Sequence, residues 1–213
     1  MDPRRPLTGT FADLAAQVLA APARLGAVRL VCIDGPAGSG KTTFAGRLAD
    51  ALGPEAVVLH LEDLYAGWTL TGAVARLCSG VLRPLAEGRP GTHNVYDWHA
   101  ERFAPEPVTV PLTSVLVVEG CGSSPRALDA WTTLRIWVEA PPALRLARGL
   151  ARDGTHLDPH WQRWQEMESA VFAAENTRAR ADVRVDGAAP VPEGAFASAP
   201  DTFPQCEPRT MGT

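Results

Sequence analysis

The run Gly35-Pro36-Ala37-Gly38-Ser39-Gly40-Lys41-Thr42 restricts the possible folds of this chain more than any other feature. It satisfies G-x-x-x-x-G-K-[ST], and it lies between the β-branched, apolar run Val28–Ile33 and the helix-like stretch Thr42–Leu52. That context is what the chemistry needs. Glycines at Gly35, Gly38 and Gly40 let backbone N–H groups, those of Ala37 and Ser39 among them, converge on phosphate oxygens, and the helix start adds its positive dipole. Lys41 would reach the β and γ phosphates, the Thr42 hydroxyl would ligate magnesium, and Thr43 and Ser39 are further contact candidates. The expected ligands are ATP and Mg²⁺. The chain contains nineteen arginines and one lysine, and that lysine is Lys41. A compact ammonium on a flexible stem is kept where a charge must follow moving phosphate oxygens.

The rest of the sequence alternates between strand and helix signals. Thr10 is placed to cap a helix whose apolar residues Phe11, Leu14, Ala15, Val18 and Leu19 recur at helical spacing until Pro22. Further apolar runs at Ala56–Leu61, Ser114–Val118, Leu134–Val138 and Asp182–Val185 read as strands. Leu70–Glu87, the stretch from Pro141-Pro142 through Arg152, and Trp161–Arg180 read as helices. Continuously apolar strands alternating with helices predict a three-layer α/β/α sandwich on a mostly parallel sheet. One domain is expected over residues 1–187, with a lid near 145–160. A Pro/Gly/Ala-rich tail from about Gly187 to Thr213 has little to bury. Arg89–Phe103 reads as an inserted loop or hairpin, and the proline-rich stretch Pro105–Pro111 precedes the strand at Ser114–Val118.

Composition narrows the function classes. A formal charge of −4 and pI near 5.7 argue against a protein that grips nucleic acid. No apolar run reaches membrane-span length, and Met1–Gly9 lacks a signal-peptide core, so a cytoplasmic protein is expected. Cys32, Cys78, Cys121 and Cys206 form no paired motif, and packing roles are expected for Cys32 and Cys121.

In an open parallel sheet ligands gather at the carboxyl ends of strands, so carboxylates there would share a cleft with the phosphate loop. Asp63 ends the run Val57–Asp63 and Glu119 ends Val115–Glu119. Asp63 is expected as general base or metal-linked carboxylate, with Glu62 as its rival, since strand alternation turns only one of them to the phosphates. Glu119 is expected in the magnesium shell. Arg145, Arg148 and Arg152 fall at i, i+3 and i+7 on one helical stripe, a spacing suited to a lid closing over the transferring phosphoryl group. Tyr96, Asp97, Trp98, His99 and Arg102 mix aromatic and polar groups in one segment, a composition suited to an acceptor pocket.

Together, Asp34–Thr43, Glu62-Asp63-Leu64-Tyr65, Tyr96-Asp97-Trp98, Val118-Glu119-Gly120 and Arg145–Arg148 with Arg152-Asp153 resemble the uridine kinase-like P-loop kinases over about Val28–Gly187. The resemblance implies catalytic-base duty for Asp63, magnesium binding for Glu119, lid roles for Arg148 and Arg152, and nucleoside contacts for Tyr96 and His99. The chain departs from that pattern at Gly149, where a second lid arginine is usual. It also lacks the Arg-Gly-Arg element after Arg152-Asp153, and His99-Ala100-Glu101-Arg102 stands where a His-Ser-Arg segment belongs. The expected activity is therefore transfer of the γ-phosphate of ATP to a hydroxyl of a nucleoside or similar small metabolite. A nucleoside monophosphate kinase would need acceptor arginines, which Arg76, Arg83 and Arg89 could supply. A nucleotide-driven switch would need no small acceptor.

Overall fold

A computed structural model describes residues 8–154 and 158–199. The leader Met1–Leu7, part of the polar loop expected at Asp153–Pro159, the end of the tail and Cys206 lie outside the described residues.

Five parallel strands form the central sheet: β2 (Arg29–Asp34), β3 (Ala56–His60), β6 (Val115–Glu119), β7 (Thr132–Glu139) and β8 (Val183–Asp186), in the order β3-β6-β2-β7-β8. Period-two alternation splits their side chains between two cores. Val31, Ile33, Val115, Val117 and Ile136 pack with α1 (Phe11–Ala20) and α2 (Lys41–Leu52) on one face. Leu30, Cys32, Leu116 and Val118 face a helical layer on the other. That second layer includes α3 (Ala73–Leu77), which runs through a π-helical turn at Cys78–Leu82 into α4 (Arg83–Ala86), so the expected helix Leu70–Glu87 is present in a shorter, interrupted form. Trp164 of α6 (Asp158–Glu175) closes the same core. The fold is the expected α/β sandwich with a parallel sheet.

Local signals account for many boundaries. The Thr10 hydroxyl accepts the Asp13 N–H at 3.0 Å and caps α1. Phe11, Leu14, Ala15 and Val18 are buried as the spacing predicts, whereas Leu19, at the flank of that face, is exposed. Helix α5 (Pro142–Asp153) opens on its proline.

Three expectations are corrected. Residues Val57–Asp63 are not one strand, because β3 stops at His60 and Leu61–Leu64 coils into a 3₁₀ turn. The hairpin expected at Arg89–Phe103 extends further, into the proline-rich segment: β5 (Arg102–Val110) pairs antiparallel with β4 (Gly91–Asp97). Pro105 and Pro107 are tolerated there because β5 pairs on one side only. Beyond Gly187 the chain still buries apolar surface. Strand β9 (Ala195–Ala197) pairs with β1 (Thr8–Thr10), and the Phe196 ring meets those of Phe11 and Phe44 at 5.5 and 5.4 Å.

Candidate active site

The phosphate loop leaves β2 at Asp34 and enters α2 at Lys41. Its glycines are forced by close approach as well as by backbone angle. Gly35 has φ 142°, and a Cβ there would lie 2.0 Å from the Val138 carbonyl oxygen; at Gly38, φ 76°, it would lie 2.4 Å from that of Arg145. Asp34 locks the start of the loop. Its carboxylate accepts N–H groups of Gly35, Gly122 and Ser124 at 2.7, 2.8 and 2.9 Å. Burial outweighs these donors and pushes the Asp34 pKa up to about 6.

Lys41 is buried, and its Nζ donates to the Pro36 carbonyl at 3.0 Å and meets Cys121 Sγ at 3.5 Å. Burial pulls its pKa down, but Cys121, Glu119, Glu168 and Asp34 outweigh that and leave it raised. Burial also pushes the Cys121 thiol up to about 12, so at neutral pH it is uncharged and the three carboxylates keep Lys41 an ammonium. Cys32 and Cys121 both pack in the core as expected, and Cys121 is in addition a neighbour of the loop lysine. The described cysteines are all free.

At the head of α2 the Thr42 hydroxyl donates to Glu119 Oε1 at 3.1 Å, and His60 Nδ1 lies 2.6 Å from the same oxygen. Glu119 is only 3% exposed, and its contact raises the His60 pKa, chiefly through this hydrogen bond. A hydroxyl and a carboxylate at this spot are hard oxygen donors of the kind that magnesium takes alongside phosphates and water. Among the described residues no group of three or more His, Cys, Asp or Glu converges on a metal-sized space. An ion held here would draw its remaining oxygens from outside the protein.

The two rival carboxylates sit on the 3₁₀ turn rather than in a strand, so strand alternation does not separate them. Asp63 is half-buried, and desolvation raises its pKa while His60 and then His93 pull it down. Glu62 is more exposed and feels Arg152; desolvation and Glu119 raise its pKa. Tyr65 anchors the turn to the sheet by donating to the Cys121 carbonyl at 2.9 Å.

The arginine stripe divides its labour. Arg145 pairs with buried Glu168 at 2.9 Å, and Glu168 also accepts the Ala37 N–H at 2.8 Å and the Trp164 Nε1–H at 3.1 Å. This arginine braces the loop. Arg148 reaches over the loop and donates to the carbonyls of Gly38 and Gly187, both at 3.2 Å. Arg152 pairs with Asp153 at 2.7 Å and lies over the Trp161 ring. Beside the loop, a cavity of about 460 Å³ is lined by Gly40, Thr43, Arg47, Arg148, Asp186 and Gly187, among others. Ser39 is fully buried.

On the hairpin, Tyr96 packs edge-on to Trp98 and Phe103 at 5.3 and 5.2 Å, with its hydroxyl against Gly67. His99 and Arg102 are exposed at the hairpin tip, where Asp97 accepts the N–H groups of His99 and Ala100, both at 2.9 Å. Among the described residues neither makes a hydrogen bond or ion pair with the phosphate loop. Sequence reasoning missed His60, Glu168, His93 and Trp68. His60 and Glu119 are register partners on adjacent strands, so two polar strand ends were the available signal.

No family model matches the chain, and no curated protein matches it in sequence. Solved structures do. A possible uridine kinase from Bacillus stearothermophilus superposes with a TM-score of 0.59 at 20% identity, covering 81% of this chain and 95% of that one. A candidate fructose transport system kinase from Silicibacter sp. TM1040 gives 0.53 at 22% identity, covering 76% and 95%. Loop, strand order and these neighbours together give the chain the P-loop kinase fold.

Proposed function

We propose that this protein is an ATP- and magnesium-dependent kinase that phosphorylates a hydroxyl of a small molecule. The observation that carries the reading is the meeting of Thr42 and Glu119 at the head of α2, beside buried Lys41, with Asp63 on the 3₁₀ turn that follows the neighbouring strand. The nucleoside of ATP would occupy the cavity lined by Thr43, Arg47 and Asp186, leaving its phosphates on the loop. The acceptor oxygen attacks the γ-phosphorus in line, the bond to the β–γ bridging oxygen breaks, and the acceptor proton passes to Asp63. Lys41 balances charge on the phosphates, and Arg148 and Arg152 would close over them and exclude water. Thr42 and Glu119 would hold magnesium, which when bound neutralises charge building on the departing diphosphate.

A monophosphate acceptor is less well served. Arg76 is committed to the carbonyls of Leu64 and Thr71 and lies over the Phe103 ring, and Arg89 pairs with Glu87. The direct test measures ADP release from Mg-ATP against nucleosides, nucleoside monophosphates and sugars. A hydroxyl acceptor should stimulate release, and Asp63→Asn should lower kcat about a thousandfold while ATP affinity stays within threefold. Slow hydrolysis that no compound stimulates would favour a nucleotide switch instead.

A further inference from the structure

The acceptor side holds a polar group that the catalytic reading leaves unused. His93 lies on β4, the hairpin strand that packs against the 3₁₀ turn bearing Asp63. It is 8% exposed, and its Nδ1 has no hydrogen-bond partner among the described residues. A buried ring nitrogen without a partner is costly. Gly91, two residues earlier, rests against the Val81 backbone, and the cross-strand neighbour is Val108, so a leucine at position 93 would suit the fold as well.

The hairpin is shaped around this point. Its register breaks between Asn94 and Tyr96, and such an irregularity re-aims the side chains that follow it. Tyr96 thereby turns toward Gly67, beside Trp68. Trp68 packs against Trp98 at 5.8 Å, Trp164 at 6.0 Å and His160 at 5.4 Å, an aromatic cluster that joins the hairpin to α6. Rings of this kind beside a hydrogen-bonding imidazole and a carboxylate match a molecule with a C–H face and several hydroxyls.

We propose that His93 is an acceptor-binding residue, holding through Nδ1 a second polar group of the molecule whose reacting hydroxyl faces Asp63, so that the acceptor is polyhydroxylated. The proposal rests on the kinase reading. Its test uses uridine, D-ribose and D-fructose as acceptors, with 2′,3′-dideoxyuridine as a compound that keeps a primary hydroxyl and lacks its neighbours. For the best acceptor, His93→Leu should raise KM at least tenfold and leave the KM for ATP within twofold, and its Tm should be no lower than wild type. His93→Asn, which returns a hydrogen-bonding group near the Nδ1 position, should recover part of the loss. An acceptor KM within twofold of wild type in His93→Leu overturns the proposal while the kinase reading stands. Equal use of uridine and its dideoxy analogue does the same. If no compound stimulates ADP release by the wild type, the kinase reading fails and this proposal with it.

Discussion

The phosphate-loop side and the hairpin side of the cleft are built on different principles. Around the loop most polar side chains are already held, the buried Ser39 hydroxyl excepted: Asp34 by three backbone N–H groups, Glu168 by Ala37, Trp164 and Arg145, and Glu119 by Thr42 and His60. On the hairpin the contacts are mostly aromatic edges, Trp98 is 42% exposed, and His93 carries an unpaired nitrogen. A triphosphate is the same in every reaction of this kind, so its cradle can be rigid and complete. The acceptor distinguishes one kinase from another, and the groups that read it stay free until it binds.

The contrast is most open to challenge at Glu168. Removing its carboxylate by Glu168→Ala leaves Arg145 buried without its partner and the Ala37 N–H without its acceptor. A loss of about 3 to 5 kcal/mol in unfolding free energy is expected, read by urea denaturation. ATP affinity should fall along with it, because the loop is braced through that contact. If stability falls and ATP affinity does not, the loop is not held from α6, and the view of a pre-built cradle is wrong.

Asp34 sharpens the same point through pH. Its folded pKa of about 6 stands above the 3.8 of an ordinary aspartate, so between those values the folded chain binds more protons than the unfolded one. The stabilisation is fully present below pH 4 and is lost as pH rises through 6, amounting to about 3 kcal/mol. Unfolding free energy measured across pH 4 to 6 should carry this downward slope in wild type. In Asp34→Asn the slope should flatten, whatever the variant's absolute stability. An unchanged slope would assign the titration to another group.

What was legible in the sequence follows the same divide. Loop, strands and α5 were readable because glycine spacing, β-branched runs and a helix-opening proline act locally. Glu168 was invisible because its partner Ala37 lies 131 residues away, and His60 because the sheet register, not its neighbours in sequence, sets it against Glu119. The turn at Leu61–Leu64 was misread as strand since Leu61 is apolar and buried in either conformation. Tyr65, reaching across to Cys121, ties that turn to the sheet and so places Asp63. In the hairpin, alternation was masked by Pro105 and Pro107, and although burial alternates over Gly91–Asn94, the buried positions there are a glycine and a histidine, so the pattern leaves no apolar trace around His93.

The smallest expected effect lies at Trp98. Its ring is partly exposed and meets only the edges of Trp68 and Tyr96, so Trp98→Ala should cost about 1 kcal/mol of stability. Were the hairpin a passive flap, nothing else would change. As part of the wall that receives the acceptor, the loss of that face should raise the acceptor KM about fivefold, the equivalent of about 1 kcal/mol of binding, with ATP affinity untouched. Steady-state kinetics with each substrate varied in turn separate the two. A rise in the KM for ATP instead would mean that the hairpin and the phosphate loop are coupled, and that the two sides of the cleft are not independent in the way their contacts suggest.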